Sequence, residues 1–311
     1  MRVPAPACLS VCLLMWVGCG GKEEVPLTTC GIEMKYEDPV DLPPSEGSPA
    51  WSPDGQWIAL GRGRGILVVR PDGTGLRRLT PNGIEPTWAP DGSHIAYGTE
   101  AGLYVVDVRT KRRRRLLAER DQFGFQPAWS PDGSWVAFAR TERHGAQTLY
   151  RVRADGGAVK RLLVPSIRKS DPGWSIAAAT QTDPTWAPNG REIAYVGFVG
   201  GVETIMAARP GESTTRRITD GRHGSYEPAW SPDGRRIAYQ CEGALIVTGA
   251  DGTGEKRLLA TDAGAPTWSP DGKRIAFERY VDGGIGTDPV AVAIIDTEGG
   301  EPKLLFSGRR S

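Results

Sequence analysis

The stretch Pro49-Ala50-Trp51-Ser52-Pro53-Asp54-Gly55 decides the fold, because the chain contains six copies of it. The other copies occupy residues 86–92, 127–133, 184–190, 228–234 and 266–272, the fourth with Asn189 in place of the aspartate. Each copy is followed, two residues later, by an apolar triplet such as Ile58-Ala59-Leu60. The successive motif tryptophans lie 37, 41, 57, 44 and 38 residues apart. A period of about 40 residues with strand-like content is typical of a propeller or another repeat array.

Each repeat is predicted to contain four short strands, A to D. In the first repeat, strand A ends at Trp51, strand B covers 57–60, strand C covers 66–69 and strand D covers 76–80. Pro-Asp-Gly sequences join A to B and C to D. Proline presets φ, aspartate accepts hydrogen bonds from nearby backbone N–H groups, and glycine adopts positive φ without steric cost. The sequence therefore predicts an all-β, six-bladed β-propeller of four-stranded antiparallel blades over residues 48–311.

Composition excludes several other classes of protein. The 311 residues carry a net charge of +1, which provides no global field for nucleic acid. The 41 glycines and 25 prolines are spread through the repeats, as expected for many short strands joined by turns. No internal run of 18 apolar residues follows the first segment, so no membrane-spanning helix is predicted after it.

The first 18 residues have the pattern of a signal peptide, with Arg2 before the apolar run Cys8–Val17. Trp16-Val17-Gly18-Cys19 resembles the lipobox of bacterial lipoproteins. That resemblance implies lipidation of Cys19 and a location at the periplasmic face of the envelope, in the outer membrane. The alternative is an ordinary cleaved signal and a secreted protein. Residues 19–47 are polar and proline-bearing, which predicts a flexible tether.

Two cysteines, Cys30 and Cys241, remain after the signal peptide and the lipidation site are set aside. In an oxidising compartment two such thiols can form a disulfide, here between the tether and the fifth repeat. The alternative is that both remain unpaired.

The six copies of W-[SA]-P-[DN]-G-x-x-[IV]-A resemble the propeller repeats of the TolB family, over residues 48–307. Related repeats occur in the propellers of prolyl oligopeptidases and of some lyases. The resemblance implies a six-bladed propeller that binds ligands and partner proteins at one end. Full TolB also has an N-terminal α/β domain, for which about 28 residues between Cys19 and the first blade leave no room.

Most of the repeated residues have a structural interpretation. The motif tryptophans are expected to pack as apolar plates between neighbouring blades, and the motif aspartates to form turns. Asn189 supports the turn interpretation, because asparagine can form the turn but cannot act as a base. The basic run Lys111–Arg115 leads into a predicted outermost strand, where charged residues prevent edge-to-edge aggregation.

The topology separates two faces of the propeller. The A–B and C–D turns lie at one end of every blade, the rear face, and they are nearly identical. The B–C and D–A connections lie at the other end, the front face, and they vary in length. The longest are 164–183, which contains Arg168 and Trp174, and 279–289; shorter ones contain His144 and His223. Variable loops on a rigid scaffold are where binding normally occurs, and Trp174 is predicted as a binding anchor or a plug for its own loop.

One residue precedes each motif proline and is predicted to lie at the front mouth of the central channel. These residues are Ser48, Glu85, Gln126, Asp183, Glu227 and Ala265. Three acids and an amide around one opening would attract a basic side chain or a divalent cation. If a metal binds, Glu85, Asp183 and Glu227 are the predicted ligands. The alternative is a water-filled polar channel without a ligand.

The sequence favours a binding or scaffold protein over an enzyme. His94 follows a rear turn, the two remaining histidines lie in different blades, and no G-x-S-x-G motif is present. The predicted partner is an envelope protein, a peptide or a small ligand; nucleic acid is not expected, membrane contact is through the lipid only, and the protein is expected to be a monomer. The alternative function is a carbohydrate-active or other hydrolase or lyase, using channel carboxylates with a metal ion.

Overall fold

The six copies of the motif fall at the same place in six successive β-sheets. The computed structural model describes residues 47–62, 65–118, 125–142, 145–163, 180–280 and 290–305. These residues form 24 strands, which are arranged as six four-stranded sheets.

Each sheet is one blade and is built from one stretch of chain. Blades 1 and 2 contain β1 (Ser48–Trp51), β2 (Ile58–Arg62), β3 (Gly65–Val69), β4 (Arg77–Arg78), β5 (Ile84–Trp88), β6 (His94–Thr99), β7 (Gly102–Asp107) and β8 (Arg113–Leu117). Blades 3 and 4 contain β9 (Ala128–Trp129), β10 (Trp135–Thr141), β11 (Gln147–Arg153), β12 (Val159–Arg161), β13 (Thr182–Trp186), β14 (Ile193–Val199), β15 (Val202–Ala208) and β16 (Thr215–Arg217). Blades 5 and 6 contain β17 (Ser225–Trp230), β18 (Arg236–Cys241), β19 (Ala244–Gly249), β20 (Lys256–Leu259), β21 (Ala263–Trp268), β22 (Arg274–Tyr280), β23 (Val290–Asp296) and β24 (Lys303–Leu304).

Within every blade the strands pair in chain order and antiparallel, which confirms the predicted fold class. The outermost strand of blade 1 is shorter than predicted, since only Arg77 and Arg78 pair regularly with β3. Beyond them the N–H of Leu79 donates to the Ile66 carbonyl at 2.8 Å, while the hydroxyl of Thr80 accepts the N–H of Ile66 at 2.8 Å. A side chain thus replaces the backbone carbonyl as the acceptor for Ile66, and the regular strand ends before residue 80, where sequence alternation predicted its end.

The six blades close into a ring through their innermost strands. Strand β1 contacts both β5 of blade 2 and β21 of blade 6, and the other innermost strands contact their neighbours in turn. Apolar side chains fill the junction between the last and first blades, where Trp51 and Leu60 pack with Val292, Ile294 and Leu305. Within the described residues each sheet contains strands from one blade only, so the ring closes by side-chain packing rather than by exchange of a strand.

The motif tryptophans lie between blades, as predicted. Trp88 is 8% exposed, and its indole N–H donates to the backbone carbonyl of Ala50 in blade 1 at 3.0 Å. Trp268 makes the equivalent bond to Ala229 of blade 5 at 3.0 Å. At the closing junction, the guanidinium of Arg274 lies 5.0 Å from the centre of the Trp51 ring. Each tryptophan therefore joins its own blade to the preceding one.

The Ser-Pro-Asp-Gly segments form the rear turns. In blade 5 the Ser231 hydroxyl donates to Asp233 Oδ1 at 2.6 Å and accepts the Arg236 N–H at 2.9 Å. The hydroxyl, together with the N–H of Arg235, holds the pKa of the Asp233 carboxyl below its usual range. The motif aspartates are therefore turn-forming groups, and their rear location separates them from the channel mouth.

The rear turns also contact one another around the ring. Gly55 has φ 70°, and a Cβ on it would lie 3.7 Å from Cδ of Pro270 in blade 6. Gly234 has the same conformation and relation to Pro188 of blade 4, at 3.3 Å from its Cγ. Glycine permits the positive φ of both turns, and at Gly234 it also leaves room for the preceding turn, since a Cβ there would be in tight contact.

Several predictions fall on parts of the chain outside the described residues: the signal peptide, lipidation at Cys19, the tether, and Cys30. Cys241 ends β18 and is half-buried, and burial raises the pKa of its thiol. The disulfide and the domain boundaries thus stay predictions. Among the residues that are described, no helix has the length and hydropathy needed to cross a bilayer.

Candidate functional site at the channel mouth

The residues before the motif prolines have an unusual backbone conformation. Five of the six adopt positive φ, in the left-handed region: Glu85 (51°), Gln126 (44°), Asp183 (49°), Glu227 (54°) and Ala265 (44°). In blades 2, 4, 5 and 6 the pairing register of the innermost strand shifts at this point, as in a β-bulge. Ser48 is the exception, because it pairs with Gly61 without a shift. A bulge bends the strand and redirects a side chain, and here it does so at the same position in successive blades.

The redirected side chains bind the backbone of the next blade. The N–H of Gln126 donates to Glu85 Oε2 at 2.8 Å, and the N–H of Asp183 donates to Gln126 Oε1 at 3.0 Å. The N–H of Ala265 donates to Glu227 Oε2 at 2.6 Å. Between blades 4 and 5, the N–H of Glu227 faces the Asp183 carboxyl and acts to lower its pKa. Three hydrogen bonds and this contact therefore link blades 2 to 6 around the channel. We call this series the interblade chain.

The interblade chain gives the channel residues a structural role that the sequence analysis missed. Each member except the last must carry a side-chain acceptor, and glutamate, glutamine, aspartate and glutamate all do. The series ends at Ala265, which has no acceptor to offer to blade 1. The sequence does show an acceptor side chain before four successive motif prolines. That pattern predicts bonds between blades only when the left-handed backbone at these positions is known.

The three channel carboxyls have raised pKa values. Burial raises the pKa of Glu85 to about 7, with a further contribution from the Glu227 charge, although the Gln126 N–H opposes the shift. Burial also raises the pKa of Asp183 to about 8, and the charges of Glu227 and Glu85 add to this effect. Burial raises the pKa of Glu227 as well. Like charges that share one channel cannot all ionise without cost, so a proton is retained near neutral pH.

These shifts change the expected electrostatics of the mouth. The sequence predicted three acids that attract a basic side chain or a cation, whereas the structure favours a partly protonated set of carboxyls at neutral pH. A protonated carboxyl can donate a hydrogen bond, and its neighbours can accept one. Among the described residues, no group of three or more Asp, Glu, His or Cys side chains that could hold a metal ion is present, and the ligand role of Glu85, Asp183 and Glu227 stays a prediction.

Space beside the mouth is maintained by a glycine. A Cβ on Gly264 would lie 3.4 Å from Glu227 Oε2 and only 2.9 Å from the hydroxyl oxygen of Tyr280. A larger residue there would push against both side chains, since contacts below 3.0 Å require something to move. Gly264 therefore allows Glu227 and Tyr280 to occupy the same edge of the mouth.

The other predicted site residues are not all brought to the channel. The Nδ1 atom of His223 lies 2.9 Å from Oε1 of Glu242, and both side chains are more than half exposed. They belong to the front face of blade 5, where Glu242 has φ 50° in the turn between β18 and β19. His144, Arg168 and Trp174 lie outside the described residues, and their predicted binding roles remain untested.

Comparison with known proteins supports the fold alone. No protein-family model and no curated protein matches this chain. A solved structure described as TolB from Agrobacterium tumefaciens is 24% identical over 75% of this chain and 84% of its own, with a TM-score of 0.58. TolB from Acinetobacter baumannii is 19% identical with a TM-score of 0.61, covering 82% of this chain but 64% of its own length. Oligogalacturonate lyase from Vibrio parahaemolyticus is 12% identical over 88% of this chain and 81% of its own, with a TM-score of 0.60. The chain thus has the fold shared by a TolB-type propeller and an enzyme propeller.

Proposed function

We propose that this protein is an exported, lipid-anchored propeller that binds an envelope protein, a peptide or a small ligand at its front face. The TolB-like fold and the lipobox-like sequence before Cys19 support the envelope location. The channel mouth supports the binding role and carries the proposal, because polar side chains from blades 2, 3 and 5 are held there by hydrogen bonds to the following blade.

The geometry favours a ligand with hydrogen-bond donors or a positive charge. Glu85 and Glu227 each use Oε2 to accept a backbone N–H, and in the described residues Oε1 of each has no hydrogen-bond partner. Among the described residues no Lys or Arg forms a salt bridge with these carboxyls, so no such bridge must be broken when a ligand enters. Arrival of a basic side chain would favour ionisation, lower the raised pKa values and release protons.

A capture experiment with matched variants tests this proposal. The channel variant E85Q/D183N/E227Q keeps the size of each side chain and an oxygen acceptor, but removes three carboxyls. The control D72N/D155N/D251N removes the same number of carboxyls from exposed rear turns. We expect a partner crosslinked from envelope extract to be lost with the channel variant and retained with the rear-turn control. Equal capture by both variants, or no crosslinked partner with the wild type, would contradict the proposal.

Localisation is tested separately. Replacement of Cys19 by alanine is expected to move the protein from the membrane fraction to the soluble fraction and to abolish fatty-acid labelling. Unchanged labelling would refute lipidation at this residue without affecting the channel proposal.

A carboxyl-dependent hydrolase or lyase is the second candidate, and the raised pKa values of Glu85 and Asp183 favour it. A carboxyl that stays protonated near pH 7 is suited to act as a general acid. The oligogalacturonate lyase neighbour suggests acidic oligosaccharides as the substrates to test first. Turnover by the wild type that is lost in D183N, together with stoichiometric metal in the purified protein, would favour this candidate over a scaffold. Absence of turnover with metal-supplemented protein would remove it for these substrates.

A further inference from the structure

The overall charge of +1 conceals a strong asymmetry between the two halves of the ring. Residues 47–163, which form blades 1 to 3, contain 18 Lys and Arg against 11 Asp and Glu. Residues 180–305, which form blades 4 to 6, contain 13 Lys and Arg against 18 Asp and Glu. One side of the propeller is therefore basic and the other acidic, and the field near each side differs from that of the whole molecule.

The basic charge is concentrated in blade 2, in the rear turn after β7 and at the start of the outermost strand β8. Residues 109–115 are all exposed, and six of these seven residues are Arg or Lys. Strand β8, at 5 residues, is also the longest outermost strand among those described. We call residues 109–115 the basic edge.

Most side chains of the basic edge have no acidic partner among the described residues; Arg114 is close enough to Asp155 of blade 3 for its charge to help lower the pKa of that carboxyl. Arg114 donates to the backbone carbonyl of Ala154 at 2.6 Å, an uncharged acceptor in the next blade. Lys111, Arg112 and Arg115 form no ion pair with any described residue. The acidic half differs. In blade 4, Arg216 occupies the position of Arg114, and its Nη2 atom lies 2.8 Å from Oε2 of Glu192. Charged residues protect a sheet edge, but Arg109, Lys111 and Arg112 precede the edge strand β8, so edge protection does not account for all six basic residues.

The N-terminal segment provides a complementary charge. Residues 19–46 contain seven Asp and Glu against two Lys, and they lead directly into blade 1. Glu37, Asp38 and Asp41 lie six to ten residues before residue 47, which lets them reach about 20–35 Å from it. Strands in a sheet are about 4.8 Å apart, so a blade measures roughly 15 Å from its innermost to its outermost strand. Residue 47 precedes β1 at the front face, whereas the basic edge lies at the rear end of β8, and a strand of this length adds roughly 15 Å along the channel axis. Glu37 and Asp38, ten and nine residues before residue 47, have the reach to span both distances.

We propose that the acidic segment 19–46 docks in cis on the basic edge of blade 2. Covalent connection keeps the segment at a high effective concentration near the edge, so several weak ion pairs suffice for binding. Docking shortens the tether between the proposed lipid anchor and the propeller, and high salt or a competing polyanion releases it. The proposal depends neither on lipidation nor on the ligand of the channel mouth.

Zero-length carbodiimide crosslinking of the full-length protein, with mass spectrometry of the products, tests this proposal. The reagent joins tail carboxylates to lysine amines, and Lys111 lies in the basic edge. Lys273, on a rear turn of blade 6, serves as an internal reference. At about 0.01 M salt, where the Debye length is about 30 Å, tail crosslinks to Lys111 should exceed those to Lys273 by about tenfold. At about 1 M salt, where the Debye length is about 3 Å, the two yields should become equal.

Charge-reversal variants provide the matched control. R112E/R115E should abolish the preference for Lys111, whereas R235E/R257E should retain it. Arg257 occupies in blade 5 the pairing position that Arg115 occupies in blade 2, and both are exposed. Equal yields for Lys111 and Lys273 in the wild type at low salt would overturn the proposal. A second outcome would also overturn it. If the protein binds phosphatidylglycerol vesicles but not phosphatidylcholine vesicles, if this binding requires Arg112 and Arg115, and if no tail crosslinks form, the basic edge is a lipid site.

Discussion

Replacement of Glu85 by glutamine should stabilise the protein at alkaline pH and leave its stability unchanged in acid. In the folded protein the pKa of Glu85 is raised to about 7 from an ordinary value of 4.5, chiefly by burial. The folded state thus retains a proton that the unfolded chain releases above about pH 4.5. Below pH 4.5 the Glu85 carboxyl is protonated in both states and does not lower the free energy of unfolding. As the pH rises from 4.5 to about 7, the free energy of unfolding falls, because only the unfolded chain ionises this group readily.

The magnitude follows from the size of the shift. One pKa unit corresponds to about 1.36 kcal/mol, so the shift of Glu85 corresponds to about 3 kcal/mol, which partial exposure through the channel reduces to about 2 kcal/mol. Glutamine cannot ionise, and its Oε1 can accept the N–H of Gln126 as Glu85 Oε2 does. Gln126 already occupies the equivalent position in blade 3 and makes this bond to Asp183.

Urea unfolding at pH 4 and pH 8.5 measures the effect. We expect wild type and E85Q to have equal free energies of unfolding at pH 4, and E85Q to be more stable by about 2 kcal/mol at pH 8.5. The exposed Glu100→Gln serves as the control and should change stability by less than about 0.5 kcal/mol at both pH values. A variant less stable than wild type at pH 8.5, or a difference independent of pH, would show that Glu85 is needed as a carboxylate and would refute this reasoning.

Three further substitutions test the ring itself, each by chemical denaturation. Leu305→Ala, at the closing junction, should lower the free energy of unfolding by about 2–4 kcal/mol. The neighbouring Leu304 is 38% exposed, so Leu304→Ala should lower it by less than about 0.5 kcal/mol. Similar losses for the two variants would mean that this junction does not depend on Leu305. Trp88→Phe should cost about 1 kcal/mol more than Trp186→Phe, because the Trp88 indole N–H has a backbone acceptor whereas the Trp186 indole N–H has none among the described residues. Ser231→Ala should cost about 1 kcal/mol by removing a hydroxyl that both donates and accepts in a rear turn; no measurable loss would argue against that role.

The number of blades and the location of the two faces were predictable because they depend on local rules. Pro-Asp-Gly sequences recur at a fixed period, and an antiparallel meander places alternate turns at opposite ends of each blade. The prediction that the tryptophans lie between blades rests on the same periodicity. Strand limits were less predictable, as Thr80 shows, because a side chain can replace the backbone ladder.

The chemistry of the channel mouth could be predicted only in part. Sequence position correctly indicated which residues precede the motif prolines, but it suggested a set of independent negative charges. Whether a carboxyl is ionised depends on its neighbours in other blades: Glu227 lies 142 residues from Glu85 in the chain, yet its charge raises the pKa of Glu85. Such a coupling leaves no local pattern.

By itself, the sequence determined that the chain forms six four-stranded blades and that glycine turns occupy one face, because turn chemistry and strand alternation act over a few residues. Only the tertiary structure decided that five residues before the motif prolines adopt a left-handed backbone and that their side chains bind the following blade. It also decided that three acids share one channel and retain a proton near neutral pH. Both features arise from closure of the ring, which brings equivalent residues of distant repeats together around one axis.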